Sequence, residues 1–104
     1  MSISVGLDEL AARIAERRGG AFLVTVGASG TAHVASVRPE WQGEALMVPS
    51  GRTSRANVGA HPAVTLLWPG DADDEYALLV DGRADATPDG LAVHPASAVL
   101  HRRA

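Results

Sequence analysis

The spacing of apolar residues changes character near residue 20. Upstream, Leu7, Leu10, Ala11 and Ile14 recur at helical spacing, with Arg13, Glu16 and Arg17 turned away. Asp8 and Glu9 in the first turn, and Arg17 and Arg18 in the last, complement the helix dipole. Gly19-Gly20 then stops the helix. The pattern predicts one amphipathic helix over residues 6–18. Downstream the period shortens to that of strands. Ala21–Val26 is rich in β-formers, Gly27–Gly30 is a turn, and Thr31–Trp41 alternates. Gln42-Gly43 turns the chain into a third run, Glu44–Val48. These three runs predict an antiparallel meander.

The stretch from Pro49 to Arg55 is polar and turn-rich, and leads into a short helix over Ala56–Ala60. His61-Pro62 ends it, because the residue before proline avoids the helical region. Ala63–Trp68 reads as a fourth strand, closed by Pro69-Gly70, and Asp71–Glu75 as a solvated acidic loop. Tyr76–Thr87 is a long fifth strand with a bend expected at Gly82. Pro88-Asp89-Gly90 turns into a sixth, Leu91–Leu100, where Pro95 predicts an edge position or a bulge. The expected fold class is mainly β (α+β). It is a six-stranded antiparallel barrel, closed or partly closed, with an N-terminal helix and a short helix between strands three and four. Closure removes the edges that a thin sheet would expose.

Composition narrows the function. The chain has 104 residues, room for a single domain over residues 1–104 with a core thin enough to benefit from a partner subunit. It has no cysteine, which excludes thiolate nucleophiles, cysteine-ligated zinc and iron–sulfur clusters. All 9 basic residues are arginine, so Schiff-base lysine chemistry is excluded as well. A net charge of −3 argues against sequence-independent nucleic-acid binding. No apolar run is long enough to span a bilayer, and the first twenty residues lack the apolar block of a signal peptide. The expected location is cytoplasmic.

Chemistry concentrates in Ser50-Gly51-Arg52-Thr53-Ser54-Arg55-Ala56-Asn57. Two arginines, hydroxyls and a flexible glycine meet the start of a helix, whose free N–H groups favour an anion. Arg52 and Arg55 can add forked bonds to phosphate oxygens, and Thr53 and Ser54 further donors. In the competing reading, Thr53 or Ser54 only caps the helix and both arginines lie in solvent.

The run from Val48 to Pro69 resembles the pyridoxamine 5′-phosphate oxidase-like family of FMN-binding split barrels. The similar features are a strand ending in small polar residues and a basic Ser/Thr-rich loop. They continue with an Asn-hydrophobic-x-x-x-Pro helix end (Asn57 to Pro62) and the strand Val64-Thr65-Leu66-Leu67-Trp68-Pro69. Val80-Asp81-Gly82-Arg83-Ala84 is similar to the family's next strand. The resemblance implies a homodimer with one FMN at each of two intersubunit sites. It places Arg55 at the phosphate, with Arg52, Thr53 and Ser54 beside it. It brings Arg38 near the cofactor, lays Val48, Pro49 and Ser50 along the ring, and has Trp68 reach the partner's ring. The C-terminal Trp/Arg-bearing segment of true pyridoxamine-phosphate oxidases has no counterpart here, so the expectation is a flavin-dependent oxidoreductase with an unnamed small-molecule substrate and no nucleic-acid or membrane partner. No residue stands out as a general acid or base, and the catalytic residues are unknown. Two other readings share the fold: a reductase binding a deazaflavin coenzyme, and a non-catalytic flavin-binding or interaction module.

Other constellations are weaker. His33, His61, His94 and His101 have no metal-ligand spacing, and no metal site is expected. Some haem-utilising split barrels use a histidine near the C-terminus, which leaves haem as a minor alternative. No nucleophile elbow points to hydrolysis.

Overall fold

The structure, a computed structural model, describes residues 1–70 and 76–102. The strands are β1 (Ser2–Val5), β2 (Ala21–Val26), β3 (Ala32–Val37), β4 (Glu40–Gln42), β5 (Ala45–Pro49), β6 (Ala63–Trp68), β7 (Ala77–Ala86) and β8 (Gly90–His101). Helix α1 (Leu10–Ala15) follows a single 3-10 turn at Leu7–Glu9, and α2 (Arg52–Ala60) joins β5 to β6.

All eight strands form one antiparallel sheet in the order β3-β2-β6-β7-β8-β5-β4, with β1 added on β8. The two terminal strands of that path, β3 and β4, are consecutive in the chain. Only Arg38 and Pro39 separate them. Three Cα–Cα steps reach at most about 11 Å, so the sheet must curl until its two margins nearly meet at this corner. The result is a half-barrel whose seam is bridged by the chain itself.

Alternation along the strands fills the interior. Leu23, Leu46, Leu66, Leu78, Val80, Leu91 and Val93 are fully buried, and Leu10 and Val58 bring the two helices onto this core. Each such side chain contributes roughly 1.5–3 kcal/mol over its exposed state.

Several expectations need correction. Among the described residues the barrel has eight strands, not six. Ser2–Val5 is a strand, paired with Ala98–His101 at the far end of the sequence, and no local pattern signals such a partner. The expected run Thr31–Trp41 is cut in two, because Pro39 has no N–H for a ladder and the corner falls there. The N-terminal helix is shorter than residues 6–18: its first turn winds as a 3-10 helix, and α1 ends at Ala15. By contrast, α2 begins four residues earlier than expected, at Arg52. Pro95 sits at a bulge, where the β7–β8 register shifts at Asp81/Gly82. The acidic loop Asp71–Glu75 lies outside the described residues. Among the described residues no helix is long and apolar enough to cross a membrane.

Gly90 marks the tightest backbone approach. A Cβ there would lie 2.1 Å from the Val48 carbonyl oxygen and 2.8 Å from both Pro49 Cα and the Ser50 nitrogen. Gly59, within α2, would present its Cβ to open space. Gly90→Ala should therefore destabilise the protein by about 1–3 kcal/mol or more. Gly59→Ala should stabilise it by about 0.5–1 kcal/mol through helix propensity. Urea unfolding of the two variants measures both signs.

Candidate functional site

Helix α2 lies across one end of the barrel. Ser54 and Val58, four residues apart, face the core, while Arg52, Thr53 and Ala56 face solvent. A polar pin sets the helix in place: Asn57 Nδ2 donates to Thr25 Oγ1 at 3.0 Å, and Thr25 is fully buried. Two residues earlier, Arg55 Nη1 donates to the Pro88 carbonyl at 2.8 Å and holds the helix to the β7–β8 turn. The Ser50 N–H donates to the Asp89 carbonyl at 3.2 Å, joining the same turn to the β5–α2 junction.

The N-terminus of α2 is open. Gly51 is the N-cap and no side chain caps the helix. The capping reading of Thr53 and Ser54 is therefore not realised. The first backbone N–H groups have no partner within the helix, and among the described residues neither Arg52 nor Arg55 pairs with a carboxylate. Two polar atoms beside this turn are buried without a partner, Arg55 Nε and Ser54 Oγ. Such orphans are rare in a folded protein; the Ser54 hydroxyl is turned to the core, whereas Arg55 Nε belongs to the guanidinium beside the β7–β8 turn. A groove of about 370 Å³ runs alongside, lined by Met47, Val48, Pro49 and the turn Thr87–Gly90.

Val48 and Pro49 line this groove, Ser50 and Arg55 are bonded to its Asp89 and Pro88, and Arg52 and Thr53 are exposed on the adjoining first turn of α2. Val48 itself is buried, so its contribution to the groove is its backbone and the edge of its side chain. Ser54 is in the same turn but 1% exposed, with its hydroxyl on the core-facing side of the helix. Arg38 is exposed at the β3–β4 corner, where its Cγ packs 3.4 Å from the Cβ position of Gly20. It precedes the Glu40–Met47 pair and so lies at the Pro49 end of the β4–β5 hairpin. Trp68, expected to reach a partner's ring, is 3% exposed and packs in the core of its own subunit, about 16 Å along β6 from Ala63. Sequence reasoning missed the part Asn57 plays. Its place in the Asn-to-Pro spacing was visible, but its buried partner Thr25 lies 32 residues away. Among the described residues no three potential metal ligands converge.

Comparison with known proteins sets this geometry in context. The uncharacterised proteins Mb0449c of Mycobacterium bovis and MT0457 of Mycobacterium tuberculosis are each 37% identical to the chain over 102 aligned residues. The alignment covers 81% of the chain and 71% of each relative. The chain belongs to their family. No protein-family model matches it. Among solved structures, a Listeria innocua protein provisionally named pyridoxamine 5′-phosphate oxidase superposes with a TM-score of 0.72 at 16% identity, covering 93% of this chain and 98% of its own. An F420 reductase superposes at 0.62 with 22% identity, covering 80% and 90%. HupZ of group A Streptococcus gives 0.53 at 16%, covering 91% and 86%. The fold is the split barrel of pyridoxamine 5′-phosphate oxidase-like proteins.

The pin of α2 can be tested by a double-mutant cycle. Asn57→Ala leaves the buried Thr25 hydroxyl without a partner and should cost about 1–3 kcal/mol. Adding Thr25→Val removes the orphan, so the double variant should lose less than the sum of the single losses. Thermal unfolding of the four proteins gives the coupling.

Proposed function

We propose that this chain is an FMN-binding flavoprotein, a flavin-dependent oxidoreductase that works as a homodimer. The observation that supports it best is the uncapped start of α2, with Arg52 and Arg55 free of carboxylates among the described residues, beside an open groove. These groups suit a phosphate monoester. The helix N–H groups and dipole favour its charge, and the guanidinium of Arg52 is free to form a fork on its oxygens. Arg55 holds the β7–β8 turn and leaves the rest of its guanidinium for the same anion. Pro49 and Ser50 would flank the flavin's body, with Arg38 at the corner nearby. When bound, the flavin supplies hydride or electron transfer at its ring. The chain's contribution is to grip, orient and exclude water.

A second copy has a natural place to sit. Phe22, Leu67 and Leu79 are successive cross-strand neighbours on the outer face, and Val24 pairs with Val34 beside them. Phe22 remains 42% exposed and Val34 58%. Among the described residues β3 also leaves one edge unpaired. An apolar stripe next to a free edge is the kind of surface that a partner covers.

The fold likeness to an F420 reductase favours a second reading, in which the cofactor is a deazaflavin. The phosphate grip would be common to both readings, so titration of the apoprotein with FMN and with the deazaflavin coenzyme separates them. A colourless protein that binds neither would point to the non-catalytic module.

Arg52→Ala and Arg55→Ala should each weaken FMN binding by about 10- to 100-fold, the loss of one charge-assisted bond. Riboflavin, which lacks the phosphate, should bind both variants nearly as it binds the parent. Fluorescence titration with the two ligands reads the ratio. A loss shared equally by FMN and riboflavin would place the phosphate elsewhere.

A further inference from the structure

One edge of β8 is covered in two separate stretches. β5 pairs with Gly90–Val93, and β1 with Ala98–His101. Between them His94, Pro95, Ala96 and Ser97 have no ladder partner on that side among the described residues, and the β7–β8 register shift falls in the same stretch. A slot therefore opens in the barrel wall. Leu7, Asp8 and Leu10, on the chain leaving β1, border it on one side, and Trp41 and Glu44 of the β4–β5 hairpin on the other. With His94 and Pro95 they enclose a hollow of about 430 Å³.

The lining is chemically one-sided. Trp41 pairs with the buried Leu46, so its indole projects to the inner side of the sheet at the open margin, where it stays 37% exposed. Leu7 is exposed at the same hollow. Asp8 and Glu44 supply carboxylates, and His94 Nε2 lies 3.3 Å from Asp85 Oδ2. Among the described residues no arginine lines the hollow. Arg83 is the cross-strand partner of His94, and Arg13 of the adjoining helix is engaged with Glu16. An indole face attracts cations, carboxylates give charge-assisted bonds to N–H donors, and Leu7, Leu10 and Pro95 supply an apolar wall. An anion would meet repulsion from two sides.

We propose that this slot binds a small organic cation, an ammonium group carried on an apolar body. The site is separate from the phosphate groove. Trp41 faces inward, whereas Gln42 and Met47 of the same hairpin line the groove on its other face. The proposal therefore stands or falls independently of the cofactor.

The test is a titration of the isotopically labelled full chain, followed by amide and indole NMR. The probes are benzyltrimethylammonium, benzylamine and the uncharged benzyl alcohol. Saturable shifts of the Trp41 indole and of Asp8, Glu44 and His94 are expected with both cations, with benzyl alcohol at least about tenfold weaker. Trp41→Ala and the double variant Asp8→Asn/Glu44→Gln should each weaken the cations about 3- to 10-fold, with the rest of the spectrum unchanged as evidence of folding. Equal binding of benzyl alcohol, shifts confined to other residues, or undiminished affinity in the Asp8→Asn/Glu44→Gln protein would overturn the proposal. So would shifts at the slot that follow protein dilution and ignore the probes, because a second copy would then be the occupant.

Discussion

Arg38 and Pro39 are all the chain that separates one margin of the sheet from the other. Because so short a link must join β3 to β4, a flat or openly twisted sheet is not available to this topology. Curling brings the inner faces of the strands together into one apolar interior, and the leucines of β2, β5, β6, β7 and β8 find each other there. Curling also leaves an open end, which α2 covers with Val58 directed inward. The candidate site is a by-product of that cover. A helix laid across the barrel end must begin somewhere near the rim, and its unsatisfied N–H groups begin at Arg52 beside the β7–β8 turn.

The arrangement around α2 also shows why two similar arginines need not do the same work. Arg55 is half-buried and spends one nitrogen on a backbone carbonyl, so it contributes to the shape of the rim by itself. Arg52 is exposed and has no partner among the described residues. Its long side chain retains its rotamer freedom until an anion fixes it, and that entropy is part of the cost of binding.

Legibility in the sequence tracked the range of the interactions. β2 and β6 matched residue for residue, because alternation, flanking glycines and Pro62 are all local signals. β7 and β8 were found to within one residue at their ends, and the bulge at Pro95 follows from a missing N–H. What stayed hidden depends on distant partners. Ser2-Ile3-Ser4-Val5 does alternate as a strand would, but over only four residues, and its partner Ala98–His101 lies at the far end of the sequence. The start of α2 was equally concealed. Thr53 and Ser54 have modest helix propensity and follow the turn-forming Pro49-Ser50-Gly51, and the burial of Ser54 and Val58 against the barrel favours that turn as helix. The basic cluster was legible from the run of Arg52 to Arg55, and the burial of Trp68 agrees with the usual role of a strand-end tryptophan as a core or interface anchor.

The placement of β8 has a consequence for how the molecule comes into being. Emerging from the ribosome, the chain delivers β1, β5 and β7 before their common partner, and each of the three must wait for residues 90–101. Contacts spanning almost the whole described sequence make folding slow and leave strand edges bare in the interim. The final hairpin therefore acts as the keystone of biosynthesis: chains stalled or clipped before it would present several unpaired edges at once, and these are the species most exposed to chaperone capture or aggregation.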